Sequence, residues 1–225
     1  MANIYSYHGI KPIIRKSAYI HPQAVIIGNV EIGEEVYIGP NAVLRGDWGK
    51  IIIKDGANVQ ENCTLHVFPG IPTILEESAH IGHGAIIHSA HIGKNCLVGM
   101  NAVVMDNAKI GDECIIGALS FVPTGFISEN RKLIIGSPAK IIREVSDEMI
   151  AWKTKGTAIY QELAREGHIA IQPCEPLHRI CRTNTHKNCR LLCLDEIMAP
   201  NFQLSTTIFY FSTSVSLSGV EDKEK

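Results

Sequence analysis

A six-residue period constrains this chain more than any other feature. Stepping by six from Ile20 meets Ile26, Ile32, Ile38 and Leu44, and four residues after each of the first four stand Ala24, Val30, Val36 and Ala42. The phase resumes at Ile53, Val59 and Leu65, and again at Ile81 and Ile87. It slips by one at Ile92 and then runs through Val98, Val104, Ile110, Ile116 and Val122. Neither an amphipathic helix nor an alternating strand has this period. It fits a three-sided prism in which each flat face takes one hexapeptide, the aliphatic points inward and the small residue sits near the corner. Each coil then buries its apolar side only against the coils above and below it. The expected fold is all-β: a left-handed parallel β-helix of hexapeptide repeats over residues 1–140, a C-terminal α-helix over 141–170 packed on the prism, and a tail over 171–225 without expected order. The composition agrees, with aromatics at 6% and inward slots taken by Ile, Val and Ala.

The same register explains three cysteines. Cys63, Cys96 and Cys114 all fall in the small inward slot and read as buried apolar residues rather than nucleophiles. With no export signal at Met1–Pro12, cysteines read as thiols, and the expected location is the cytoplasm. A formal net charge of −2 gives no reason to expect nucleic acid as a partner. No apolar run reaches the roughly 18 residues that a membrane span needs.

Two stretches interrupt the period. One is Arg45–Ile52, with Arg45-Gly46-Asp47. The other is Val67–His80, expected as a protruding loop. After Val122 the phase ends. Ile135-Gly136-Ser137-Pro138-Ala139-Lys140 reads as a turn leading away from the prism. A helix is expected from Ser146, with Ser146 as cap and Asp147 and Glu148 at its positive end. Its apolar positions, Met149, Ile150, Ile159 and Leu163, are expected to cover an apolar stripe; Gly156 is a candidate break and Gly167 a candidate stop. In the tail, Cys181, His186, Cys189 and Cys193 have a loose spacing that matches no strong zinc motif.

Among ten histidines, three stand out by slot. His66 follows Leu65 and His88 follows Ile87, so both hold the second slot of a hexapeptide and can lie one above the other. His83 holds the third slot of the preceding hexapeptide, on another face, and points away from them. One chain alone cannot bring the three together, but a rotationally symmetric assembly can, and a three-sided prism suits a trimer. Three imidazoles leave a coordination position open, as a catalytic zinc site requires. Spacing leaves His80 and His91 open as further ligands.

Leu44-Arg45-Gly46-Asp47, Asn58-Val59-Gln60-Glu61-Asn62, Ile81-Gly82-His83-Gly84-Ala85-Ile86-Ile87-His88 and Val98–Asp106 resemble the γ-class carbonic anhydrase family, most closely its members from phenylacetate-degradation and carnitine operons. The resemblance covers roughly residues 3–178. It implies a homotrimer with one metal, zinc, iron or cobalt, at each subunit interface, held by His66, His83 and His88. It implies an interface ion pair of Arg45 and Asp47 beside the metal, Gln60 hydrogen-bonded to metal-bound water, and Tyr160 near bound substrate. The archaeal carbonic anhydrases carry a long acidic loop with a glutamate proton shuttle. The segment here is short, and neither Glu76 nor Glu77 equates with that shuttle. The resemblance therefore favours a hydrolase attacking acyl-CoA thioesters through a metal-bound hydroxide, with CO2 hydration next. A hexapeptide acyltransferase using acetyl-CoA and a non-catalytic accessory protein of carnitine or CoA-linked metabolism are the alternatives.

Overall fold

A computed structural model describes residues 3–176. The chain winds into a left-handed parallel β-helix with three faces. On the first face stack Val25–Ile32, Val43–Ile53, Thr64–His66, Ile86–His88, Val103–Val104 and Phe121–Val122. The second face carries Ile13–Ile14, the distal halves of the two long strands, Thr73–Leu75, His91–Ile92 and Lys109–Ile110. The third carries Tyr19–Ile20, Tyr37–Ile38, Asn58–Val59, His80–Ile81, Leu97–Val98, Ile115–Ile116 and Lys132–Gly136.

Register reproduces the repeat. Leu44, Leu65, Ile87, Val104 and Val122 are successive partners on the first face, and Ile53, Leu75, Ile92 and Ile110 on the second. All are buried. Burying each such side chain stabilises the fold by about 1.5–3 kcal/mol. Most corners turn on a residue with positive φ. Between the third and first faces, from Tyr37–Ile38 onward, this role falls to Asn41, Asn62, Gly84, Asn101 and Leu119. Asn visits that region more readily than most residues. Cys63, Cys96 and Cys114 are buried in the inward slots expected for them.

Three expectations need correction. Arg45–Ile52 is no break in the sheet: Val43–Ile53 is one continuous strand that rounds the corner between the first and second faces. Its surplus is visible in the spacing, since Leu44 and Ile53 stand nine residues apart rather than six. Val67–His80 does not protrude as a whole. Val67 is buried, Thr73–Leu75 is a strand, and only the hairpin-like turn bridged by Phe68 and Ile71 leaves the prism. Leu75 is the repeat position that the sequence phase skipped.

The third correction concerns the helix, here α1, Asp147–Ala170. Ser146 caps it as expected. Gly156 does not break it and Gly167 does not end it. Gly167 instead lets the helix approach the prism, because a Cβ there would lie 2.6 Å from the Tyr19 ring. Before α1, Ala139–Glu144 returns antiparallel on Lys132–Gly136, so residue 140 lies within a strand.

The surface under α1 is not one apolar stripe. The outward column of the third face runs Tyr19, Tyr37, Asn58, His80, Leu97, Ile115, Leu133. Small helix residues, Gly167 and Ala164, meet the two stacked tyrosines. Met149 and Ile150 meet the aliphatic end at Ile115 and Leu133. Between them the seam is polar. Lys153 Nζ donates to Ser78 O at 2.6 Å and to Asn95 Oδ1 at 2.7 Å, and Gln161 Nε2 donates to Gly56 O at 3.1 Å.

Candidate metal centre

His66 and His88 are cross-coil partners on the first face. Stacking in register brings their rings to 5.0 Å between centroids, with His66 Nδ1 3.0 Å from His88 Nε2. The other nitrogen of each ring is taken. His66 Nε2 lies 3.0 Å from Asp47 Oδ1, and His88 Nδ1 lies 2.6 Å from Asp106 Oδ1. A carboxylate accepts, so each imidazole carries its proton on the carboxylate side. The facing nitrogens then present two lone pairs to one another, an arrangement that either a shared proton or a metal cation would satisfy. In a tetrahedral site with Zn–N of about 2.0–2.1 Å, two ligand nitrogens lie about 3.3 Å apart. The observed separation fits with a small opening.

The carboxylates are themselves held. Arg45 Nη1 donates to Asp47 Oδ2 at 2.5 Å, and Trp48 N donates to Asp47 Oδ1 at 3.0 Å. Burial raises the Asp47 pKa, but hydrogen bonds from Arg45 and His66 outweigh it and hold the carboxyl below the usual range. Burial lowers the His66 pKa against the pull of Asp47, which favours the neutral form of the ring, the form that can act as a ligand. The surplus in Val43–Ile53 is what carries Asp47 and Trp48 over this pair. The Trp48 indole lies 5.4 Å from the His66 ring, and the Arg45 guanidinium sits 5.9 Å from the Trp48 ring. Asp106 was not singled out from sequence; its signal is an acidic residue one coil beyond His88.

His83 lies elsewhere, as its slot requires. It occupies the corner between the third and first faces, half exposed, with Nδ1 2.5 Å from Glu61 Oε2. Its Nε2 has no hydrogen-bond partner among the described residues. Glu61 Oε1 also accepts from Tyr37 Oη at 3.2 Å. Among the described residues no three potential ligands of one chain converge.

Gln60 and Tyr160 are not beside His66 and His88 within one chain. Gln60 is buried on the third face, its Nε2 3.0 Å from Asn58 Oδ1 and 2.6 Å from His80 Nε2. Tyr160, on α1, packs against the Tyr37 and His80 rings at 5.4 and 5.2 Å, and burial pushes its phenol up to about 12. The two open histidines are also placed. Both ring nitrogens of His80 are committed, to Gln60 and to Thr157 Oγ1 at 3.2 Å. His91 lies on the second face with Nε2 3.0 Å from Glu76 Oε1. The Cys181, His186, Cys189 and Cys193 spacing lies outside the described residues.

A prism of hexapeptide coils bearing a paired-histidine face and a third histidine at the next corner defines a class: hexapeptide-repeat proteins of γ-carbonic anhydrase type. Comparison with known proteins agrees. The family described as bacterial transferase hexapeptide (six repeats) matches residues 11–46 and 89–124. The carnitine operon protein CaiE of Escherichia coli K12 is 46% identical over 176 residues, 78% of this chain and 90% of that protein. A crystal structure of a putative acetyltransferase from Bacillus cereus superposes with TM-score 0.73 at 42% identity, over 74% of this chain and 96% of that one. A hexapeptide transferase family protein from Anaplasma phagocytophilum gives 0.70 at 34%, over 72% and 96%. The chain belongs to the γ-carbonic anhydrase-like hexapeptide-repeat family that includes CaiE. No described helix is long and apolar enough to cross a membrane.

Proposed function

We propose that this protein is a cytoplasmic, homotrimeric, metal-dependent hydrolase acting on acyl-CoA thioesters, with CO2 hydration as the neighbouring activity. One observation carries the reading: three histidines each have one nitrogen fixed by their own carboxylate, Asp47, Asp106 or Glu61, while His66 and His88 turn their other nitrogens to each other. That pattern orients metal ligands and raises their basicity. His66 and His88 of one copy and His83 of the next would hold zinc, iron or cobalt. Bound there with a vacant position, such an ion supplies Lewis acidity and a source of hydroxide near neutral pH.

The chain's own residues do the rest. Arg45 holds Asp47, and Asp47 holds the His66 tautomer. Trp48, largely exposed over His66, offers an apolar wall for an acyl group. Gln60 lies on the third face and Tyr160 packs onto it from α1, next to the corner that carries His83, so a neighbouring copy would bring them to the site together with that ligand.

Purified protein is expected to contain about one metal ion per chain and to release thiol from at least one acyl-CoA thioester, with activity lost on chelation and restored by metal. Protein without metal, or with metal but no turnover of thioesters or CO2, rejects the hydrolase reading. The acetyltransferase name of the Bacillus cereus relative supports a second reading, acyl transfer from acetyl-CoA. It requires an amine or alcohol acceptor and no metal. The operon name carried by CaiE supports a third, an accessory role without catalysis.

A further inference from the structure

The polar middle of the seam under α1 needs explaining. Aliphatic residues fill the column above it and stacked tyrosines the column below, so apolar packing was available. Instead Asn58 and His80 occupy adjacent rungs, in register, with Gln60 beside them. Asn58, Gln60 and Thr157 are all buried. Burying polar groups costs stability even when most of them are paired.

The hydrogen bonds of this cluster take their direction from the Thr157 hydroxyl. Thr157 Oγ1 donates to Lys153 O at 3.3 Å. Its oxygen therefore accepts from His80 Nδ1–H. The neutral ring then has a lone pair on Nε2, and the Gln60 atom 2.6 Å away must be its amide nitrogen. The second hydrogen of that nitrogen goes to Asn58 Oδ1. Both amide hydrogens of Gln60 are spent, and its Oε1 has no partner among the described residues. The adjoining Asn58 Nδ2 is a buried donor without a partner. The orientation of Gln60 is thus set by a histidine and read out through α1.

We propose that His80 is a positioning residue, clamped by Thr157 of α1, that fixes the Gln60 carboxamide so that its oxygen faces the reacting groups as a hydrogen-bond acceptor. The proposal rests on the reading that Gln60 serves the metal site. It gives α1 a task beyond covering the prism. It also gives Gln60 a chemical sense: the free atom accepts an O–H or N–H and cannot donate one to an oxyanion.

Two variants and one independent readout test this. His80→Leu removes the acceptor while keeping bulk, and His80→Gln returns a carbonyl oxygen near the Nε2 position. In whichever assay, thioester or CO2, the purified protein turns over, His80→Leu is expected to lower kcat roughly 10-fold or more, within the range for groups that orient a site, with KM nearly unchanged. His80→Gln should recover most of the loss. In the Gln60→Ala background, His80→Leu should have no further effect, because its action runs through Gln60. An additive double variant, or equal losses in the Leu and Gln variants, overturns the proposal. The independent readout is 15N NMR of the unmodified trimer. His80 is expected as the neutral Nδ1–H tautomer, and the Gln60 amide signals should move in His80→Leu and return in His80→Gln. An Nε2–H tautomer overturns the proposal whether or not the protein is a hydrolase. The expected tautomer with no turnover of any substrate leaves the geometry standing and rejects only the functional reading beneath it.

Discussion

His88 on the first face and His80 on the third lie on the same coil, in the same kind of strand, and have opposite fates. His66 and His88 each keep one nitrogen unbonded to anything but the other ring, and His88 remains partly exposed. His80 has both nitrogens engaged, and burial pushes its imidazole down to about 3. Carboxylates back the first pair, while a hydroxyl and an amide surround the second. A ring backed by a carboxylate is a stronger ligand. A ring sealed between neutral partners orients its neighbours and stays neutral. The same residue type thus becomes a candidate ligand or a structural wedge according to what covers its face.

The largest effect expected from breaking this contrast is loss of metal. His88→Ala and His83→Ala should each abolish binding at every site, although the His83 variant keeps two ligands per chain. Metal analysis of mixed trimers checks this, and full retention of sites in such mixtures would show that ligands are not shared between copies. Next come the carboxylates. Asp106→Asn and Asp47→Asn are each expected to weaken metal affinity by about 10- to 100-fold without unfolding the chain. Competition with a chelator measures it, and unaffected affinity would remove the carboxylates from the site.

The sealed face should respond to pH instead. Burial lowers Lys153 to about 7 from its ordinary 10.5, and His80 to about 3 from 6.5. Both groups bind a proton less readily in the folded chain than in the unfolded one, so protonation favours unfolding. Their contribution to stability is complete above the unfolded values and is lost as pH falls, between about 10.5 and 7 for Lys153 and between 6.5 and about 3 for His80. Each slope is at most about 1.4 kcal/mol per pH unit. Denaturant titrations should show stability rising with pH, and His80→Gln should flatten the acid window. The smallest effect is expected of Thr157→Val, which leaves His80 Nδ1–H without an acceptor at a cost of about 1–3 kcal/mol and leaves the first-face pair untouched. Comparable loss of metal from this variant would mean that the two faces are not independent.

Some of this could be read without coordinates. The slots of Leu65 and Ile87 put His66 and His88 on one face, and the slot of His83 put it elsewhere. Asp106 escaped notice because a lone acidic residue carries no pattern until coils are stacked. The role of His80 escaped because nothing in the repeat says which face α1 will cover. The Val67–His80 segment reads as a loop in sequence because Leu75 stands ten residues after Leu65 rather than six.

A periodic sequence settles the prism, its inward ladder and the side each histidine faces, because burial of one aliphatic per hexapeptide is a local demand that repeats along the chain. What lies over each outward residue was decided only in three dimensions. The surplus in Val43–Ile53 brings Asp47 across to His66, and the landing of α1, made possible by Gly167 against Tyr19, closes over His80. Those contacts join residues far apart in the chain, and no local spacing encodes them.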